Sequence, residues 1–219
     1  LAPKINNIMQ EVKNEWWIVI ASKDWHPKWN ISFASSFIWK EPITNIWSTN
    51  PNAFVTIEEV QNWTENNNGL SKNATFSVKE LKIYLENNVI DGELKPLIMW
   101  PDHCIANTPW AEYCDGFDKS IVTREIIKWF NSNQHPYSAV PGIDTVGWKK
   151  LIATLEDFSV DEIDTVWLAT DFCVHNTVID LLKTNKFKIN LILKACAWVY
   201  KESTEDAIKN MREAGAVIV

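Results

Sequence analysis

A cysteine at the junction of an apolar strand and a helix constrains this chain more than any other feature. Ile163-Asp164-Thr165-Val166-Trp167-Leu168 is a short apolar run of the kind buried in a sheet. Ala169-Thr170-Asp171-Phe172-Cys173 follows, and beyond it Val174, Val178, Leu181 and Leu182 keep helical spacing. A strand feeding a helix in this way is a building unit of α/β proteins, whose ligands bind at the carboxyl ends of strands. A thiol there faces unpaired backbone N–H groups and the positive end of the helix dipole, which favours the thiolate. On these residues alone Cys173 has two roles open to it, a nucleophile or a small buried apolar side chain.

The same alternation runs along the chain. Ile5, Ile8, Met9 and Val12 share one face of an expected helix, and residues 16–21 read as a buried strand that delivers Asp24 and His26 at its carboxyl end. Residues 121–127 read as a second strand, ending at Lys128. A helix is expected over 144–155, a strand over 188–193, a helix over 204–214 and a last strand over 216–219. Between the first strands, residues 34–95 form a polar, Asn-rich excursion, loosest at Asn66-Asn67-Asn68-Gly69. Within it Ser77 is placed to cap a helix that turns Leu81, Tyr84 and Leu85 inward. The pattern predicts one α/β domain over residues 1–219 with a doubly wound, mostly parallel sheet, helices on both faces, and the excursion inserted at about 34–95.

Charge and cysteine usage narrow the partners. With 28 acidic and 21 basic residues the net charge is −7, which argues against nucleic acid. No apolar run is long enough to span a bilayer. Cys104, Cys114, Cys173 and Cys196 lack the rhythm of a disulfide scaffold and fit a reducing cytoplasm. A homo-oligomer is compatible with all of this.

Two further clusters carry chemistry. In Lys23-Asp24-Trp25-His26-Pro27, Asp24 and His26 lie two apart and share one side of an extended segment. Trp100-Pro101-Asp102-His103-Cys104 adds a histidine after a turn. A carboxylate and two imidazoles suit zinc, iron or manganese. Taken in order with Lys128 and the Cys173 segment, these clusters resemble the nicotinamidase branch of the isochorismatase-like cysteine hydrolases.

That resemblance implies hydrolysis of nicotinamide to nicotinate and ammonia in NAD salvage, through a thioester on Cys173. It implies Lys128 as the second catalytic group and the backbone N–H groups of Ala169 and Cys173 as the oxyanion hole, with a cis Leu168–Ala169 bond. It places one divalent metal on Asp24, His26 and His103, with zinc the first choice. Trp100 would pack on the pyridine ring and Leu168 would also contact the substrate; an aromatic wall suits a flat heteroaromatic amide. Asn30 stands where a further histidine ligand is common, and Asn is a poor ligand for such metals. His135 and His175 have no comparable company, and surface or packing roles are expected for both. The alternatives are another small-amide cysteine amidohydrolase, or a metal-binding domain of the same fold with impaired catalysis.

Two departures accompany the resemblance. The family's general base is an aspartate on a first strand, and no such segment stands before Leu1. The expectation is a longer parent chain, with the first strand missing here and two buried strand edges left open. The chain also has 13 Trp and 6 Gly, where average usage would give roughly 15 Gly. Trp110, Trp129, Trp167 and Trp198 stand where the resemblance leads one to expect glycine, the residue of positive φ and close backbone approach.

Overall fold

In the computed structural model, residues 1–45, 48–90, 93–128 and 137–219 are described. In chain order the first elements are α1 (Ala2–Asn14), β1 (Ile20–Asp24), β2 (Phe54–Val55), α2 (Ile57–Val60), α3 (Val78–Asn87), β3 (Val89–Ile90), β4 (Glu93–Leu94) and β5 (Leu97–Ile98). Then come β6 (Arg124–Lys128), β7 (Ile143–Asp144), α4 (Leu151–Asp157), β8 (Glu162–Leu168), α5 (His175–Lys183), β9 (Lys188–Ala197), α6 (Lys201–Glu213) and β10 (Val217–Ile218). They divide between two units, one drawn from residues 1–24, 112–128 and 137–219, the other from residues 25–111.

The first unit holds the α/β sheet, in two three-stranded pieces, β1-β6-β7 and β10-β9-β8. β1 runs parallel to β6, and β9 runs parallel to both β8 and β10, whereas β7 returns antiparallel to β6. Strand alternation covers both faces. Ile189 and Leu191 of β9 pack with Val178 and Leu181 of α5 and Met211 of α6, while Ile192 and Ala195 join Ile5 and Met9 of α1. The parity changes along β9 because the pairing steps from Thr165↔Leu191 to Trp167↔Cys196, which leaves the extra residues in β9. The sheet is therefore mostly parallel and helix-covered, as expected, but it comes as two pieces among the described residues. Among the described residues, β1 and β8 each pair with one neighbour.

The second unit has its own core, in which Leu81 and Leu85 of α3 meet Val55, Leu97 and Met99. Ser77 caps α3 as its sequence suggests. Its hydroxyl accepts from the Glu80 N–H while the Glu80 carboxylate accepts from the Ser77 N–H, a reciprocal capping box.

Several element boundaries move from their expected places. Trp16 and Trp17 lie outside the first strand, which starts at Ile20, because α1 ends in a turn that carries them into solvent. The Trp17 N–H donates to the Val12 carbonyl and the Trp16 N–H to the Lys13 carbonyl, with Trp16 at φ 64°. This is the Schellman pattern that favours glycine at the left-handed position. α6 ends the same way with glycine in place: Ala216 N–H to Met211 O, Gly215 N–H to Arg212 O, and Gly215 at φ 111°. The expected strand over 121–127 starts only at Arg124, since Lys119–Ile121 is a 3-10 turn capped by Asp118. The helix expected over 144–155 begins at Leu151, because Ile143–Asp144 pairs with β6 instead.

Of the four tryptophans expected at glycine sites, Trp167 has φ 97°. Trp110 and Trp198 are exposed and are not among the positive-φ residues, and Trp129 lies outside the described residues. Trp16, Trp29 and Trp148, which the sequence did not single out, also have positive φ.

Candidate active site

β1 and β6 lie side by side in a register that makes Asp24 and Lys128 direct partners at their carboxyl ends. The strand order does what the sequence alone could not, bringing together two charged residues a hundred positions apart. The Lys128 ammonium lies 2.8 Å from Asp24 Oδ1 and donates to the Tyr137 carbonyl at 3.0 Å. Lys128 is 3% exposed, so its amine is held by these acceptors and not by bulk water. Burial works against its charge, but the Asp24 carboxylate and Cys173 outweigh that effect and hold its pKa above the ordinary lysine value.

Cys173 faces this lysine. It lies in a π-helical turn, Thr170–Val174, between the end of β8 and the start of α5. Such turns are frequent at functional sites. Burial pushes the thiol up, the Lys128 ammonium pulls it down, and the net shift is upward. Desolvation thus outweighs the lowering by Lys128 and by the Ala169 N–H. The Ala169 N–H is directed at the sulfur, and the peptide between Leu168 and Ala169 is cis. Leu168 is 47% exposed at the end of β8, an accessible apolar side chain beside the turn.

The second unit gathers the histidines. The His26 and His103 ring centroids are 4.7 Å apart, with Phe33 packed against both. An extended pairing fixes this: the His26 N–H donates to the Cys104 carbonyl and the Ala106 N–H to the His26 carbonyl. His26 is fully buried. His103 Nδ1 is 2.7 Å from the Pro101 carbonyl. A ring nitrogen bound in this way carries the proton, leaving Nε2 as the lone-pair donor, the usual arrangement of a metal-binding histidine. Trp100 lies 6.5 Å from the His103 ring, edge to face. Asn30 is buried, and its side-chain oxygen accepts from the Ser32 N–H and hydroxyl. It thereby serves a turn. His175 is the first residue of α5, and His135 lies outside the described residues. Asp24, His26 and His103 supply one carboxylate and two imidazoles, a donor set that suits a divalent metal.

The sequence did not single out the carboxylate of Asp171, which accepts hydrogen bonds from three groups near the start of α6. A signal for it existed: α6 begins after Tyr200, which has no side-chain oxygen suited to capping, so the cap had to come from elsewhere.

No protein-family model matches the chain, but individual proteins do. The nicotinamidase/pyrazinamidase of Mycobacterium tuberculosis is 32% identical over 120 residues, covering 55% of this chain and 62% of that protein. The nicotinamidase of Saccharomyces cerevisiae is 25% identical over 178 residues, covering 80% of this chain and 66% of that one. The chain thus spans less than two thirds of the length of either relative. Among solved structures, an Acinetobacter nicotinamidase superposes with a TM-score of 0.69 at 25% identity, covering all of this chain and 82% of that one. A Pyrococcus horikoshii pyrazinamidase in complex with zinc gives a TM-score of 0.61 at 22% identity, covering all of this chain and 83% of that one. The yeast nicotinamidase bound to the inhibitor nicotinaldehyde gives 0.69 at 22%, covering all of this chain and 87% of that one.

The fold is that of the isochorismatase-like hydrolases. Relatives by sequence and neighbours by structure agree: the chain is similar to nicotinamidases and pyrazinamidases.

Proposed function

We propose that this chain hydrolyses nicotinamide to nicotinate and ammonia, a step of NAD salvage, as a single hydrolase domain over residues 1–219 with residues 34–95 inserted in it. The observation that carries the reading is the cluster of Cys173, Lys128 and Asp24 within one unit, at the carboxyl ends of β1 and β6 and the turn after β8. Relatives named nicotinamidase and a neighbour bound to nicotinaldehyde support the choice of amide.

An amide carbonyl is a poor electrophile, so the nucleophile must be charged and its product anion must be held. Cys173 as thiolate attacks the carboxamide carbon, with the Lys128 ammonium beside it favouring the thiolate over the buried thiol. The backbone N–H groups of Ala169 and Cys173 hold the oxyanion. Ammonia leaves after protonation, and water then hydrolyses the thioester to nicotinate. The aspartate to which the family resemblance gives these proton transfers is not among residues 1–219. Asp24, held on Lys128, is a carboxylate that the cluster does contain. Leu168, exposed at the end of β8, offers apolar surface to the pyridine ring, and the resemblance gives Trp100 the same role.

Asp24, His26 and His103 would hold one divalent metal, zinc first, and the tautomer that Pro101 imposes on His103 fits that role. When bound, such an ion supplies a positive anchor for the pyridine nitrogen. Four cysteines outside any disulfide and the absence, among the described residues, of any helix long and apolar enough to cross a membrane accord with a cytoplasmic enzyme acting on a small molecule. The test is ammonia release from nicotinamide, with Cys173→Ala as control. Turnover that the substitution abolishes supports the reading. Stoichiometric metal without turnover identifies a binding domain instead, and turnover of N-carbamoyl amides in preference to nicotinamide points to a related amidohydrolase.

A further inference from the structure

We propose that Asp171 is a positioning residue for the nucleophile, tying the Cys173 turn to the start of α6. The inference rests on Cys173 being the nucleophile of the function proposed above. Asp171 is two residues before Cys173 in the same π-helical turn. One of its oxygens accepts from the Val199 N–H at 3.0 Å. The other accepts from the Tyr200 N–H at 2.9 Å and from the Ser203 hydroxyl at 2.8 Å. A carboxylate that accepts from three donors is held more firmly than a neutral acceptor, because each bond is charge-assisted.

The far side of this contact explains why an acid is needed. α6 is a 13-residue helix whose N-cap, Tyr200, makes no side-chain cap hydrogen bond. Its first turn presents unpaired N–H groups and the positive end of its dipole. Asp171 supplies the missing negative charge from another element. The same turn is fastened again one residue earlier, where the buried Thr170 hydroxyl donates to the Ala197 carbonyl at 2.8 Å. One residue later, Phe172 lies against Tyr137 and Tyr200, with centroids at 5.2 and 6.2 Å. Three consecutive residues are therefore fixed from outside, and the next residue is Cys173. A π-helical turn has no long ladder of its own to hold its shape, so these outside contacts set where the Cys173 sulfur and N–H lie. Misplacement of a reacting group by about 1 Å costs on the order of 100-fold in rate.

The experiment compares Asp171→Ala, Asp171→Asn and Ser203→Ala with the unmodified chain. It measures kcat and KM for ammonia release from nicotinamide, the iodoacetamide alkylation rate of Cys173 at one pH, and the circular dichroism spectrum. Asp171→Ala is expected to lower kcat about 100-fold with KM changed less than about threefold. Loosening the turn is expected to speed alkylation of the half-buried Cys173 about tenfold. Asp171→Asn keeps an acceptor oxygen and should recover part of the loss, and Ser203→Ala, which removes one donor of three, should cost least. A kcat within threefold of the unmodified chain in Asp171→Ala, or a loss confined to KM, overturns the assignment. If Asp171→Ala does not fold, Asp171→Asn against Ser203→Ala decides: a larger kcat loss in the former supports it, and equal losses overturn it. Should the unmodified chain release no ammonia, the substrate reading fails separately, and the alkylation rates still judge Asp171.

Discussion

Lys128 Nζ lies 2.8 Å from Asp24 Oδ1 because parallel pairing of β1 and β6 sets the two residues side by side at the strand ends. Neither residue is replaceable alone. Lys128→Met removes the cation from a carboxylate whose side chain is only 21% exposed. Breaking a fully buried pair costs roughly 3–5 kcal/mol, and the remaining exposure of Asp24 brings the expectation to about 2–3 kcal/mol. The double variant Lys128→Met, Asp24→Leu should recover most of that loss, since it leaves no unpaired charge. Denaturant titration of the three variants checks this; a double variant less stable than Lys128→Met would contradict it.

The same lysine governs the thiol. Burial raises the Cys173 pKa and Lys128 lowers it, so removing the ammonium moves the thiol further up. The alkylation rate of Cys173 should rise with pH through a midpoint above that of an ordinary thiol, and Lys128→Met should shift the profile to still higher pH. A shift to lower pH in Lys128→Met would mean that the two groups do not interact as described. Cys196 provides an internal comparison, since burial pushes its thiol up to about 11. It should therefore react later than the exposed Cys114 at neutral pH.

Metal binding separates the histidines from other buried imidazoles. The chain loaded with zinc and dialysed should retain one ion, and His103→Ala or His26→Ala should each reduce retention at least tenfold, since loss of a hydrogen-bonding partner behind a ligand already costs about 10–100-fold. His175→Ala should change nothing. Elemental analysis after dialysis gives the answer, and full retention in both histidine variants would remove Asp24, His26 and His103 from that role.

Tryptophan at left-handed backbone is a cost that the fold carries. Trp16 is 95% exposed and Trp148 is 76% exposed, so neither side chain gains much by burial, and both have positive φ. Trp16→Gly reproduces the ending that Gly215 gives to α6. Each of Trp16→Gly and Trp148→Gly should stabilise the chain by about 1 kcal/mol, or about 2–4 °C in Tm for a chain of this size. Trp167 differs, because its ring packs against Phe117, with centroids 5.6 Å apart, and against the α1 side of the sheet. There the lost packing opposes the relieved backbone, so Trp167→Gly should gain less than Trp16→Gly. Thermal melts rank the three, and a destabilised Trp16→Gly would contradict the strain argument.

How much of this was legible beforehand follows the range of each interaction. The strand–turn–helix around Cys173 and the Ser77 cap depend on neighbours in sequence, and both stand where the sequence put them. Residues 16–17 were misread because an apolar Trp-Trp pair looks like strand, whereas the Schellman ending of α1 depends on φ at one residue. The Asp24–Lys128 pair and the Asp171 clasp depend on which strands and helices become neighbours, and local pattern does not encode that. The sequence pattern favours the thiolate, whereas the desolvation that pushes the thiol up is a property of the assembled fold.

The most direct test of the account follows activity and the Cys173 thiol together. The protein is treated with iodoacetamide for increasing times. Peptide mapping gives the fraction of Cys173 alkylated, and ammonia release from nicotinamide is measured on the same samples. The account predicts that activity falls in proportion to unmodified Cys173 and reaches zero when Cys173 is fully alkylated, with nicotinamide slowing both. Ammonia release that persists after Cys173 is fully modified would contradict it.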